Sequence, residues 1–281
     1  MGIRIITDST SDIGLEQAKA MGITIVPLKV IFGDREYREG IEISIDGFYE
    51  KLVSSAKLPT TSQPSPDDFL VHFNQAKEAG DSIVAVLISG KLSGTVQSAV
   101  IAKEMSEYND IYIVDSMNTI TGLRFLVQEA VQMRDQGSGA AEIAKRLEEL
   151  SSRIVLLALV DTLEYLHKGG RLSKTSAIIG SLLKFKPVIT LREGVIGVVG
   201  KERGTNKGIA RILEAIEEFG AVDLSFPVYL GYTAEDSKTL LLKEKLLEKY
   251  PIKDLEIFPV GCVVGTHVGP GGCVLTYIRQ K

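Results

Sequence analysis

The chain has no tryptophan, and aromatic residues make up only 6% of its 281 residues. That leaves little material for stacking bases or sugar rings. Cysteine is nearly absent too. Cys262 and Cys273 are too few for a disulfide framework, and they lack the paired spacing of a zinc site. Basic charge is not in excess. Lys+Arg is 32 against 36 for Asp+Glu, a formal charge of −4, so the footprint of a nucleic-acid binder is missing. No window approaches the roughly 20 apolar residues that span a membrane. The densest apolar run, Ile154 to Val160, is fenced by Arg153 and Asp161. Met1 to Asp8 shows no basic-then-apolar leader pattern and reads as a short strand. A soluble, cytoplasmic protein is expected, with at most transient contact with a membrane surface. What the chain does have is 44% apolar residues, enough for a sizeable core, and a length that suggests about two domains.

The first half alternates strands and helices. Ile3 to Thr7 is a strand that stops at Asp8-Ser9-Thr10-Ser11-Asp12, and Ile13 to Met21 is helical, closed by Gly22. Ile23 to Phe32 contains a proline, which predicts an edge or broken strand, with a turn at Gly33-Asp34. Ser65-Pro66-Asp67-Asp68 is a helix start, with serine as N-cap and acids on the dipole. Ser82 to Ser89 is nearly all apolar, as in a parallel sheet covered on both faces. A helix from about 94 to 107, a strand at Ile111 to Asp115 and a further helix follow. This rhythm predicts an N-terminal three-layer α/β/α domain, residues 1–150, with a mainly parallel sheet. After Gln136-Gly137-Ser138-Gly139 the style changes. Lys186 to Leu191 and Val195 to Gly200 form a hairpin. Ile209, Ile212, Leu213 and Ile216 stripe a helix, as do Leu242, Leu246, Leu247 and Tyr250. Strands are expected at Ile154 to Val160, Pro227 to Tyr232, Leu255 to Val260 and Cys273 to Ile278. A C-terminal α/β domain, residues 151–281, with a mixed sheet and helices on one face, is expected.

Ligands of parallel α/β sheets bind outside the carboxyl ends of the strands. Here those ends are rich in hydroxyls: Thr7 to Ser11, Ser89 to Thr95 and Ser116 to Thr121. A further hydroxyl-rich loop, Thr60-Thr61-Ser62-Gln63, lies between two helices and could lean over the same edge. Ile3 to Ser9 and Ile111 to Ser116 echo each other, both being strands that end in Asp-Ser. In Ser89-Gly90-Lys91-Leu92-Ser93-Gly94-Thr95 a buried strand runs into a helix, whose N-terminus suits an anion. Gly94 lets a ligand approach the backbone, and the Ser93 hydroxyl can donate. On this loop alone, a plain N-cap is the commoner role for Ser93. The order Gly90-Lys-Leu-Ser93-Gly94 is not the nucleophile elbow G-x-S-x-G.

Only three histidines exist. His72 reads as structural or surface, and His167 sits at a helix C-terminus. His267 lies in an irregular, glycine-dense loop, Gly265 to Gly272, where backbone can come close to a ligand. That loop lacks the endings of a P-loop or a dinucleotide fold. Arg203, between a strand and a helix, can meet an anion or be an ordinary solvated charge. No metal site and no cofactor are indicated.

Seven motifs, in order from residue 3 to about 275, together resemble the DegV family, the fatty-acid-binding subunits of bacterial fatty acid kinase. They are Ile6-Thr7-Asp8-Ser9-Thr10; Pro27-Leu28 with its turn; Thr61-Ser62-Gln63-Pro64-Ser65-Pro66; Ser89 to Thr95; Val114-Asp115-Ser116; Leu163-Glu-Tyr-Leu166 with Lys168-Gly-Gly-Arg171-Leu-Ser173; and Gly265-Thr-His267-Val-Gly269-Pro-Gly271. The resemblance implies a long-chain fatty acid in an apolar tunnel, its carboxylate near the domain junction. Thr61 and Ser93 would hydrogen-bond that carboxylate, with Gly94 beside them and His267 in the polar network. Arg203 resembles the family's basic residue in the corresponding loop, and Asp8 and Ser116 are candidates for the network or for partner contact. The subunit itself would do no chemistry. A separate ATP-dependent kinase would phosphorylate the bound carboxylate, feeding phospholipid synthesis. One departure is Gly122-Leu123-Arg124, where family members often carry a second small residue. Arg124 there would narrow or reroute the tunnel, or point to solvent.

The alternative is an enzyme: a Ser/His hydrolase using Ser93, Asp115 and His267, or a dihydroxyacetone-kinase-like phosphotransfer subunit. The missing elbow and the missing nucleotide motif argue against it.

Overall fold

A computed structural model of the protein describes residues 2–172 and 185–281; Ser173 of the sixth motif lies outside the described residues. The chain folds as two compact units, residues 1–44 with 61–152, and residues 45–60 with 153–281. The first contains β1 (Ile3–Asp8), α1 (Leu15–Met21), β2 (Ile23–Val26), β3 (Lys29–Phe32) and β4 (Arg35–Arg38). The chain then contributes α2 (Ile45–Ser54) to the second unit and continues through β5 (Thr60–Ser62). The first unit is completed by α3 (Pro66–Ala79), β6 (Ser82–Leu87), α4 (Thr95–Ser106), β7 (Ile111–Asp115), α5 (Ile120–Asp135) and α6 (Ala140–Ser151).

Its main sheet is parallel throughout, in the order β2-β1-β6-β7. Every residue of β6 is buried, because both faces are covered. Ile83, Ala85 and Leu87 meet Phe69, Phe73 and Ala76 of α3 and Ala99 and Ala102 of α4. Helices α5 and α6 also pack on this sheet. This is the three-layer arrangement that the alternating rhythm predicts. α3 starts in a full capping box, with Ser65 and Asp68 each bonding the other's backbone, and ends at Gly80 in the left-handed conformation.

Residues 23–32 form the broken strand that the proline predicts. The chain breaks at Pro27, so that β2 edges the parallel sheet while β3 joins a separate three-stranded sheet, β4-β3-β5. Proline has no N–H for a ladder, which makes it a natural point to change sheets. Residues 60–63, read above as a loop, include the short strand β5.

The second unit contains β8 (Ile154–Leu159), α7 (Glu164–Lys168), β9 (Lys186–Arg192), β10 (Val195–Glu202), α8 (Thr205–Phe219), β11 (Val228–Tyr232), α9 (Ser237–Lys249), β12 (Leu255–Pro259), α10 (Cys262–Val268) and β13 (Cys273–Ile278). The sheet order is β10-β9-β8-β13-β11-β12, antiparallel except between β11 and β12. One face carries the core: Val155, Leu157 and Leu159 of β8 pack with Ile209, Ile212 and Ile216 of α8 and Leu242 and Leu246 of α9. α8 comes close because Gly208 has no side chain where Leu159 lies.

A division of the sequence at residue 150 does not foresee that residues 45–60 cluster with the second unit. The reason is tertiary. Tyr49 of α2 donates to the Val260 carbonyl at 3.0 Å, and Phe48 and Tyr49 fill the space over Gly265 of α10. Among the described residues, no helix is long and apolar enough to cross a membrane.

Candidate functional site

The best-defined part of the site is the segment leaving β6. It is built by backbone. The Ser93 and Leu92 amides both donate to the Ser89 carbonyl, at 3.1 and 2.9 Å, which folds residues 89–93 into a turn. The turn feeds α4, whose N-cap is Gly94, with no side-chain cap. Ser93 is therefore not the plain N-cap. Its Oγ lies 2.9 Å from Thr95 Oγ1. Two hydroxyls hold two hydrogens, and one suffices to join them. The other can be donated to an acceptor at the free N-terminus of α4.

Thr61 lies partly buried in β5. Two residues on, Gln63 links this motif to the Ser93 turn: its Nε2 donates to the Gly94 carbonyl at 3.2 Å and to Ser98 Oγ at 3.0 Å. Gln63 also occupies the space where a Cβ at residue 94 would lie, so Gly94 is required for the two motifs to meet. Proximity to a neighbouring side chain thus explains this glycine, beside any approach of a ligand.

Asp8 and Ser116 stand on either side of that segment, both fully buried. Asp8 Oδ2 accepts the Ile88 amide at 2.7 Å, and Oδ1 accepts the Thr10 amide and hydroxyl at 3.0 and 2.6 Å. Burial raises the Asp8 pKa to about 6, and these hydrogen bonds restrain the rise. Ser116 donates its amide to the Leu87 carbonyl at 3.0 Å, and its hydroxyl to the Asn118 carbonyl at 3.0 Å. Asp115 accepts the Gly90 amide with both oxygens and the Met117 amide at 2.9 Å. The carboxylate of a Ser/His/Asp triad must orient an imidazole; this one is engaged with backbone amides.

Arg124 neither points to solvent nor stands free. It is 3% exposed. Its Nη1 donates to the Asp12 carbonyl at 2.7 Å and its Nη2 bonds Gln17. The guanidinium ties α5 to the turn after β1.

In the second unit, His267 belongs to the last turn of α10 rather than to an irregular loop; the loop proper is Gly269 to Gly272. The helix runs through Gly265, over which Phe48 and Tyr49 of α2 lie. The Lys168-Gly169-Gly170-Arg171 turn cradles the imidazole. A Cβ on Gly169 would collide with His267 Nδ1, and a Cβ on Gly269 would collide with the Tyr165 ring. Arg171 donates to the Gly169 carbonyl at 2.8 Å. Burial, helped by the Arg171 charge, lowers the His267 pKa to about 4, so the ring is neutral at pH 7. It can then offer one N–H without a fixed charge. Gly169, Tyr165 and Arg171 were quoted above only as motif letters; the glycine pair after a helix end is the one signal that pointed to them.

Arg203 is exposed in the turn between β10 and α8, its guanidinium 4.9 Å from the centre of the Phe185 ring. Stacking on an aromatic face leaves the N–H edges outward. Both cysteines are buried, and neither forms a disulfide. Among the described residues, no group of three or more His, Cys, Asp or Glu could hold a metal ion.

So the structure brings Gly94, Ser93 and the Thr61 motif together in the first unit, with Asp8 and Ser116 behind them. It gathers the histidine and Lys-Gly-Gly-Arg motifs in the second. The chain matches, over residues 2–280, the family described as "Uncharacterised protein, DegV family", and it belongs to that family. A DegV domain-containing protein of Caldanaerobacter subterraneus is 36% identical over 268 residues, 95% of each chain. A solved structure described as fatty acid binding of a DegV family protein from Thermus thermophilus is 32% identical, with a TM-score of 0.90 over 99% of this chain and 100% of that one. The Streptococcus pneumoniae Fatty Acid Kinase B3 protein loaded with linoleic acid is 25% identical, with a TM-score of 0.86 over the full length of both chains.

Proposed function

We propose that this protein is a non-catalytic carrier of a long-chain fatty acid that presents the carboxylate to a partner ATP-dependent kinase. The observation that carries the reading is the end-to-end likeness to the fatty-acid-binding Thermus protein. Thr61, Ser93, the backbone at Gly94 and His267 are the proposed partners of the carboxylate. Hydroxyls, amides and a neutral imidazole satisfy a carboxylate without a buried counter-charge. Each hydrogen bond to a charged group contributes roughly 1.5–3 kcal/mol. The acyl chain adds about 0.8 kcal/mol per buried CH₂, which favours long chains over acetate. The kinase would move the γ-phosphoryl group of ATP onto a carboxylate oxygen and release ADP. Arg203, with its outward N–H edges, is proposed to meet that partner. The expected setting is the cytoplasm, with membrane contact at most transient.

The test is denaturing mass spectrometry of an organic extract of the purified protein. A stoichiometric long-chain acid supports the reading and reports its length. A protein that carries none and takes up none overturns it. A second arm adds ATP and a bacterial fatty acid kinase and traps acyl phosphate with hydroxylamine. Acyl hydroxamate should form only when both proteins are present.

A further inference from the structure

The two Asp-Ser strand ends echo each other in sequence, and the fold explains the echo. β1 and β7 flank β6 in the sheet. Each ends in an aspartate, Asp8 and Asp115, and each turns its carboxylate onto the backbone that leaves the strand between them. Asp8 takes the Ile88 amide from one side at 2.7 Å. Asp115 takes the Gly90 amide from the other, at 3.2 and 3.1 Å to its two oxygens. The residue between them, Ser89, donates its amide to the Asn118 carbonyl at 2.8 Å, and its own carbonyl is the acceptor that folds the Ser93 turn. Three consecutive amides are thus fixed from both neighbours before the chain reaches Ser93.

We propose that Asp8 and Asp115 are positioning residues that clamp Ile88 to Gly90 and so set the place of the Ser93–Gly94 turn. What the turn grips rests on the fatty-acid reading above; the clamp itself does not. Gly90 is part of the device. A Cβ there would lie 2.9 Å from Asp115 Oδ2 and would push the carboxylate off the amide. An asparagine at either aspartate would keep the shape. At Asp115 it would leave one oxygen where two now accept. At Asp8 its NH₂ would face an N–H on one side or the other.

The clamp can therefore be broken from either side of one contact. Asp115→Asn should shift the Gly90 amide resonance, and both Asp115→Asn and Gly90→Ala should raise hydrogen exchange across residues 88–95 and weaken palmitate binding roughly tenfold, with the unfolding midpoint little changed. The double variant should be no weaker than the weaker single one, because both remove the same contact. Asp8→Asn should reproduce the exchange effect, centred on Ile88. Unchanged exchange, unchanged affinity with raised exchange, or fully additive losses would each overturn the proposal. If the wild-type protein binds no palmitate, the fatty-acid reading fails on its own. Exchange and the Gly90 resonance then decide the clamp, which raised exchange upholds and unchanged exchange refutes.

Discussion

The two units bury opposite kinds of ionisable group, and in both burial disfavours the charged form. In the first, desolvation raises the Asp8 pKa to about 6. In the second, desolvation lowers the His267 pKa to about 4. The cause is the same in each: a low-dielectric surrounding disfavours the charged form. The supports differ. Asp8 is held by backbone amides at the end of a parallel sheet, so its charge is partly answered. His267 is held by the absence of side chains at Gly169, and the nearby charge, on Arg171, has the same sign as the charge it would acquire. Hydrogen bonds that compete with burial keep the acid able to ionise near pH 7; a base next to a cation has burial and repulsion acting together.

The largest expected effect follows from that contrast. Between about pH 4 and 6 the folded protein keeps a proton on Asp8 that the unfolded chain has released. The penalty of the buried charge is present above pH 6 and disappears as pH falls through this window, so the Asp8 contribution makes the protein more stable on acidification, by up to about 3 kcal/mol. His267 works the other way. Its stabilisation is complete above pH 6.5 and is lost as pH falls toward 4, again by up to about 3 kcal/mol. Urea unfolding at several pH values should show Asp8→Asn losing the acid-side gain and His267→Asn losing the acid-side penalty. Carboxyl and imidazole NMR titrations that place both groups at ordinary values would abolish the comparison.

Next in size is the ligand contact. Ser93→Ala removes a hydroxyl proposed to meet a charged oxygen, so fatty-acid affinity should fall about tenfold to a hundredfold. Thr61→Ala should behave alike, and an unchanged affinity in both would remove the first unit from the carboxylate site. A smaller effect is expected in the second unit. Gly169→Ala forces a methyl group into the imidazole, at roughly 1–3 kcal/mol of stability measured by denaturant, and should displace the His267 ring resonances. Gly137→Ala, whose Cβ meets nothing within 4 Å but whose φ is +89°, is the control for backbone strain alone. The smallest is Ser65→Ala at the α3 capping box, at about 1 kcal/mol with ligand affinity little changed.

Much of this molecule is legible without coordinates, and the legible parts share a cause. The buried run of β6, the Ser65 start, the Gly80 stop and the stripes of α8 and α9 are all decided within a few residues by backbone geometry and by which faces are apolar. The misreadings share a cause as well. Thr60 to Ser62 carries no strand signal of its own and becomes a strand because β3 is there to pair with it. Gly265 to Val268 looks like a loop because glycine is a poor helix former, yet it is helical, with Phe48 and Tyr49 packed over Gly265. Arg124 offers only its charge to a reader of the sequence, and its burial depends on a carbonyl 112 residues away.

The sequence by itself determined the alternation of elements, the two kinds of sheet and the ordered motifs that mark the family, because propensity, capping and periodicity are local energies. Only the tertiary structure decided that α2 belongs with the second unit, that Asp8 and Asp115 turn onto the chain between them, and that His267 is neutral. Those outcomes depend on desolvation and on close approach between residues far apart in the chain, and no local pattern encodes how much water a folded neighbour will exclude.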